Sequence, residues 1–234
     1  MCNRNLLSMV IIAVLLASII PIQNNVELTD EKSTFFADSE PELLISTGSS
    51  SGHVNGTKIE STPMGLVVAG DTRNSLNLGG IQLQANSAYN QYVDADSYVA
   101  LVDEQGVWQW AVMPMASQGL TFIEALTTSN NGEIYIAGTI LGQVDFGSNP
   151  NSPSLLSQNL DGFVAKLDPS GQWEWAISFQ TASNNDSNSS KVTGLDVDPI
   201  SGELIISGTH KGLTDFAGTL ITNADDEYFL AELD

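Results

Sequence analysis

Cysteine is almost missing from this chain: Cys2 is the only one among 234 residues. Beyond that position the sequence holds no intrachain disulfide, no thiolate metal site and no cysteine nucleophile. Histidine is nearly as scarce, with His53 and His210 the whole supply of imidazole. Cations are few as well: 7 Lys and Arg stand against 28 Asp and Glu, for a formal net charge of -21. Gripping a phosphate backbone needs cationic side chains that displace counterions, and docking on anionic headgroups needs the same charge. Nucleic acid and anionic membrane surfaces are therefore excluded as partners. Helix-period patterning is absent outside the extreme N-terminus. What remains is an ordinary apolar content, 42%, in a length that suits one domain or one and a half with a sizeable core.

The N-terminus reads as an export signal. Between Leu6 and Ile20, thirteen of fifteen residues are apolar, with Arg4 before the run and Pro21 closing it. A basic start, an apolar stretch of this length and a helix breaker describe a secretory signal over 1–22. The run is short for a lasting transmembrane helix, which wants about 20 apolar residues. No clean A-x-A box lies near Ala17–Gln23, so cleavage and retention as a signal anchor both stay open. Either route places the remainder outside the cytoplasm, with membrane contact only through this segment. Residues 23–42 are polar, acidic and aperiodic, which reads as a linker. Sequons at Asn55, Asn185 and Asn188 permit glycosylation of an exported chain.

Over residues 43–234 the dominant signal is internal repetition. VWQWAV at Val107–Val112 returns as QWEWAI at Gln172–Ile177. YVALVD at Tyr98–Asp103 returns as FVAKLD at Phe163–Asp168 and FLAELD at Phe229–Asp234, shifts of 65 and 66. GLVVAGDT at Gly65–Thr72 matches GEIYIAGT at Gly132–Thr139 and GELIISGT at Gly202–Thr209, which aligns Gly70, Gly138 and Gly208. Between these blocks Asn77-Leu78-Gly79 corresponds to Asp145-Phe146-Gly147 and Asp215-Phe216-Ala217.

Each copy reads as four short strands. The first is irregular (Lys58–Ser61, Ile123–Thr127, Val192–Val197), and the second is a β-branched run suited to burial on both faces. The third alternates, with Phe163, Ala165 and Leu167 on one face. Its variable slot, Leu101, Lys166 and Glu232, marks the more exposed side. The fourth, by the same period of two, sets Trp108 with Trp110 and Trp173 with Trp175 on one face. DEQG and DPSG between the third and fourth strands are hairpin turns, with Gly supplying a positive φ.

Four antiparallel strands at a fixed period predict an all-β fold of β-propeller-type blades, near 56–112, 122–177 and 191–234, preceded by the N-terminal signal helix. The period of about 65 exceeds the usual 40–50 residues per blade, and the surplus falls in polar stretches read as loops, such as 142–160 and 181–190. The pieces "GEIYIAGT", "VDFG" and "DGFVAKLDPSGQWEWAI", with their partners, resemble the SBBP-type β-propeller repeat of secreted microbial proteins, over about Ile59 to Asp234. That resemblance implies an exported propeller and no common catalytic residue. Family members generally hold more than three repeats, so the ring expected here is incomplete. Leu43–Thr47 reads as an orphan fourth strand. A truncated longer propeller and a three-blade unit that self-associates through open edges both follow from this.

Chemistry is sparse. Tryptophan pairs suit a sugar platform, but repetition at the same place favours packing between sheets. Asp103 and Asp168 end their strands at turns, where a carboxylate accepts backbone N–H bonds without any catalysis. The turn L-D-x-x-G-x-W is similar to the tryptophan-docking motif of quinoprotein dehydrogenases. Its Asp-to-Gly gap is one residue shorter and the following Lys is absent, so no quinone is expected. Asp94, Asp96, Asp196, Asp198 and residues 184–188 are oxygen-rich, yet none matches a D-x-[DN]-x-[DN]-G calcium loop. His210 occupies the slot of Thr72 and Ile140 and reads as a solvated loop residue. No catalytic, cofactor or metal residue is assigned. The composite expectation is an exported scaffold that binds a protein or glycan through its loops. The alternative is a piece of a secreted glycan-active hydrolase or lyase whose catalytic residues lie elsewhere.

Overall fold

The computed structural model describes residues 54–73, 75–85, 96–116, 119–182 and 187–233. The leader, the linker, Leu43–Thr47, His53 and Asn185 lie outside the described residues. Among the described residues the fold is all-β, and the fourteen strands found there run in three successive sets. The first set comprises β1 (Val54–Thr62), β2 (Gly65–Thr72), the hairpin β3 (Leu76–Leu78) and β4 (Ile81–Leu83), β5 (Asp96–Val102) and β6 (Trp108–Val112). After the short β7 (Met115–Ala116) the second set follows as β8 (Leu120–Thr128), β9 (Ile134–Asp145), β10 (Ser154–Leu167) and β11 (Trp173–Thr181). The third is β12 (Ser189–Val197), β13 (Leu204–Phe216) and β14 (Thr219–Leu233).

Within each set neighbours in sequence pair antiparallel: β1-β2-β5-β6 in the first, β8-β9-β10-β11 in the second and β12-β13-β14 in the third. The repetition extends to irregularities. The ladder slips at Gly56/Lys58, Ile123/Ala125 and Val192/Gly194, each time opposite the aligned glycine of the second strand. These bulges explain two of the repeated glycines. A Cβ built on Gly138 would lie 1.8 Å from the Phe122 carbonyl oxygen, and one on Gly208 would lie 1.8 Å from that of Lys191. The extra residue pushes a carbonyl across the sheet, and only a residue without a side chain fits opposite it.

The second and third sets are joined into one eight-stranded sheet where β10 meets β12 at Leu160–Ser189 and β11 meets β13 at Gln180–Thr181, and three apolar clusters alternate with the three sets. Leu76, Leu78, Tyr98 and Ala100 lie on one side of the first sheet. Val67, Ala69, Val99 and Leu101 on its other side meet Ile136, Phe146, Phe163, Ala165 and Leu167 of the second. Tyr135, Ala137 and Val164 then meet Ile206 and Phe229 of the third. Central strands are thus buried on both faces, which is why the second and third strands read as near-continuous apolar runs. First strands of successive sets lie side by side, β1 against β8 and β8 against β12, and the Thr128 hydroxyl donates to the Ser61 carbonyl at 2.9 Å. The fourth strands, β6 and β11, are not among the strand pairs in close contact.

Three readings of the sequence need correction here. Trp108 and Trp110 do not share a face, nor do Trp173 and Trp175. Val102 pairs with Trp108 and Leu101 with Trp110, so Gln109 is an extra residue in its strand, and Glu174 is likewise skipped between Leu167–Trp173 and Lys166–Trp175. A bulge resets the period of two. Accordingly Trp108 packs in the cluster before its sheet and Trp110 in the cluster after it. Trp173 and Trp175 divide in the same way. Second, residues 142–160 are not mainly loop, because Ser154–Ser157 pair with Gly142–Asp145. This is a polar two-stranded ribbon extending β9 and β10, matched by β3–β4 and by the tips of β13 and β14. Third, Leu101 is 2% exposed. The slot it shares with Lys166 and Glu232 faces the next set, and it is buried at Leu101 and largely covered at Lys166.

Candidate functional site

The repeated turns are held as the carboxylate argument predicts. Asp168 Oδ1 accepts from the backbone N–H of Ser170 (2.9 Å) and of Gln172 (2.9 Å) and from the Ser170 hydroxyl (2.7 Å). Burial raises the Asp168 pKa, but these hydrogen bonds outweigh it and leave the carboxyl below its ordinary value. Asp103 Oδ1 accepts from Gln105 (2.9 Å) and Val107 (2.8 Å) in the same pattern. The turn of the second set also receives Trp110 of the first. The indole N–H donates to the Pro169 carbonyl at 3.1 Å, and its ring lies against Gly171, whose φ is +83°. That nitrogen bond and the missing side chain lock two neighbouring sheets together.

A second repeated tie closes the other end of the sheets. Ser97 N–H donates to the Thr121 hydroxyl at 3.2 Å, and Gly162 N–H to the Ser190 hydroxyl at 2.8 Å. Each joins a third strand to the first strand of the following set. Beside the latter lies Asp161, 1% exposed. The Ser157 hydroxyl donates to its Oδ2 (2.5 Å), while the Thr181 hydroxyl (2.7 Å) and N–H (3.0 Å) donate to Oδ1. Burial pushes the Asp161 pKa above its ordinary value, and these donors offset it only in part. A raised pKa in the fold means that the protonated form is favoured there. Stability linked to this group is present below the ordinary aspartate range and is lost as pH rises through the elevated folded value. Asp161→Asn keeps an oxygen for Thr181 and places an NH2 that donates to the Ser157 oxygen. Its stability relative to the wild type should therefore improve between pH 4 and pH 7 in paired urea titrations; a constant difference would show that Asp161 is not the titrating group.

Lys166 is the best-partnered cation. It meets Glu133 at 2.6 Å and Glu174 at 2.9 Å, and its ammonium lies 5.6 Å from the Tyr135 ring centre. Burial pulls its pKa down, yet the bonds to Glu133 and Glu174 dominate and hold it above the ordinary lysine value.

The remaining candidates are scattered. Asn55 pairs opposite Asp71 in β1. Asn188 is 7% exposed, and its Nδ2 donates to the Ala182 carbonyl at 2.8 Å. The solvated-loop reading of His210 is corrected. The residue sits in β13, 3% exposed, with its ring edge-on to Phe216 at 5.8 Å and Glu227 at 3.9 Å. The sequence gives no sign of either burial, because both residues stand in polar surroundings. Asp96, Asp196 and Asp198 are not gathered: among the described residues no group of three or more His, Cys, Asp or Glu is placed to hold a metal ion. Asp198 instead accepts the Ile200 and Ser201 N–H groups of its own turn.

One open cleft, of about 390 Å3, lies where the end of the first set meets the 146–153 loop of the second. Val112, Met113 and Met115 form one wall, and Asn149, Gln172 and Trp173 stand on the other. Among the described residues that line it none is ionisable. The cleft offers amide donors and acceptors, thioethers and an indole edge, which suit recognition and supply no general acid or base. Trp173 is not a free platform, since its ring packs edge-on against Phe146 at 5.1 Å. A scan against protein-family models finds no match, and a search of curated proteins returns no relative.

Proposed function

We propose that this protein is an exported or cell-surface β-propeller repeat protein, similar to the SBBP type, that serves as a binding and structural scaffold. The observation that carries the reading is the recurrence, in consecutive sets, of one ladder with the same bulges, the same tie to the following sheet and the same convergence of first strands. Sheets that fan out from adjacent first strands are the arrangement of propeller blades. Repeated carboxylates and tryptophans are consumed in turns and inter-sheet packing. The non-repeated 146–153 loop beside the cleft is then the variable part that a rigid frame presents to a protein or glycan ligand. The chemistry of the cleft supports recognition over hydrolysis or elimination.

Export rests on Arg4, the apolar run from Leu6 to Ile20 and the acidic follow-on. Fusing residues 1–40 to a reporter active only outside the cytoplasm should give external activity. A signal confined to the cytosol would overturn the exported reading.

A further inference from the structure

We propose that the cleft between Val112–Met115 and the 146–153 loop binds an uncharged glycan, with the C–H face of a sugar on the methionine wall and its hydroxyls on the side-chain amides. The proposal rests on the scaffold reading and deepens it by naming what the cleft takes.

Two departures from the repeat converge there. The junction of the first and second sets and that of the second and third are built alike: Met115 and Ala116 of β7 pair with Asp145 and Val144, as Gln180 and Thr181 of β11 pair with Asp215 and Thr214. In the third set the ribbon turns through Ala217 and Gly218 alone, and in the first through Gly79 and Gly80 alone. The second set instead runs through 146–153 between Asp145 and Ser154. Opposite that loop, Met113 and Met115 stand where the next junction has Ser178 and Gln180. A frame that turns its ribbons in two residues and closes a junction with polar side chains requires neither the long loop nor the methionines. Both line the same cleft.

Its polar wall is fixed in advance. Phe146 N–H donates to the Pro153 carbonyl at 2.8 Å, Ser152 N–H to the Asn149 carbonyl at 2.8 Å, and Asn151 N–H to Asn149 Oδ1 at 3.1 Å. Gln172 is pinned to Asp168 through both backbone groups, its N–H donating to Oδ1 at 2.9 Å and its carbonyl accepting the Asp168 N–H at 2.9 Å. Asn149 Nδ2 and the side-chain amides of Asn151 and Gln172 have no hydrogen-bond partner among the described residues. Unspent amides on a preorganised wall lose little freedom when a ligand meets them.

Chemistry selects the ligand. A volume of about 390 Å3 suits a small group or the end of a chain. A stable protein interface covers about 800 Å2 on each partner, whereas the features that depart from the repeat are confined to this one concavity. With no ionisable residue among the described lining and a net charge of -21, acidic sugars are repelled and a cation meets no carboxylate. Asp145 and Asp168, which flank the lining segments, hold the Ser154 hydroxyl and the 168–172 turn. Amide side chains both donate and accept, as sugar hydroxyls do. Val112, Met113 and Met115 supply a polarizable apolar wall that adapts to a pyranose C–H face.

The test presents the full chain to an array of uncharged oligosaccharides, uronic-acid oligosaccharides and uncharged peptides, and measures each hit by calorimetry. The expected result is retention of at least one uncharged oligosaccharide and of no uronate. Met113→Ser/Met115→Gln, which installs the residues of the next junction, should weaken that binding at least tenfold while melting within a few degrees of the wild type. Asn149→Ala/Gln172→Ala, at exposed side chains, should weaken it to the same degree. Retention of uronates or peptides alone, or of nothing, overturns the inference. So does glycan binding that both variants leave intact, which would place the site elsewhere on the chain. None of these outcomes bears on export, which the reporter fusion reads separately.

Discussion

Truncating Trp110 to alanine should lower the unfolding free energy by about 3–5 kcal/mol, the usual cost of removing a large aromatic from a packed site. Trp110 lies half-buried between the first and second sheets, in contact with the cluster that contains Phe146 and Phe163, and its N–H holds the Pro169 carbonyl. Its loss opens space between two sheets that no neighbour can close, because the turn beneath it is pinned by Asp168. Trp110→Phe separates the contributions: it keeps most of the ring and forfeits the N–H bond, so it should cost about 1 kcal/mol for the bond plus a smaller packing loss. Urea denaturation followed by far-ultraviolet dichroism reads both. If Trp110→Ala unfolds with the wild-type midpoint yet loses binding on a glycan array, the ring is a ligand platform and the packing account is wrong.

Adding a single methyl at Gly138 should be nearly as damaging. The built Cβ falls 1.8 Å from the Phe122 carbonyl oxygen, well inside any real contact, and the atom it meets is backbone held in the β8–β9 ladder. Relief requires the bulge at Ile123/Ala125 to shift, and with it the packing of β8 beside β1 and β12. We expect a loss of about 3 kcal/mol, at the upper end of the overpacking range. Gly208→Ala, equally close to the Lys191 carbonyl, should behave alike. The contrasting control is Gly202→Ala, which meets nothing within 4 Å. It carries only the strain of its φ of +82°, about 1 kcal/mol. A Gly138→Ala protein as stable as this control would refute the bulge argument.

The comparison of sequence with fold shows where periodicity informs and where it misleads. Recurrence at about 65 residues located the strands that became β2, β5, β9, β10, β13 and β14, because strands buried on both faces must be continuously apolar. Asp103 and Asp168 were legible since a carboxylate followed by a Gly turn has one obvious set of donors. The Trp-x-Trp pairs misled because an i, i+2 spacing reads as one face unless a bulge intervenes, and a bulge leaves no residue-type signature at Gln109 or Glu174. The ribbon beyond Gly142 reads as loop in the sequence because both faces of a two-stranded extension meet water, so nothing alternates. His210 and Asn188 are buried by neighbours distant in sequence, Phe216 for the one and the Ala182 carbonyl for the other.

The proposed radial arrangement of the strand sets is tested most directly by through-space proton contacts in a multidimensional NMR spectrum of the folded protein. First strands that converge should give contacts between Ser61 and Thr128, where the hydroxyl bond spans β1 and β8, and between Glu124 and Lys191, whose charged groups lie 2.8 Å apart across β8 and β12. The Trp110 indole should report Pro169 and Gly171. Finding these contacts, with no backbone ladder joining β6 to β11, is the outcome expected of strand sets that fan out from neighbouring first strands. A spectrum in which the backbones of β6 and β11 pair while Ser61 and Thr128 stay apart would describe two facing layers, and would contradict the propeller reading.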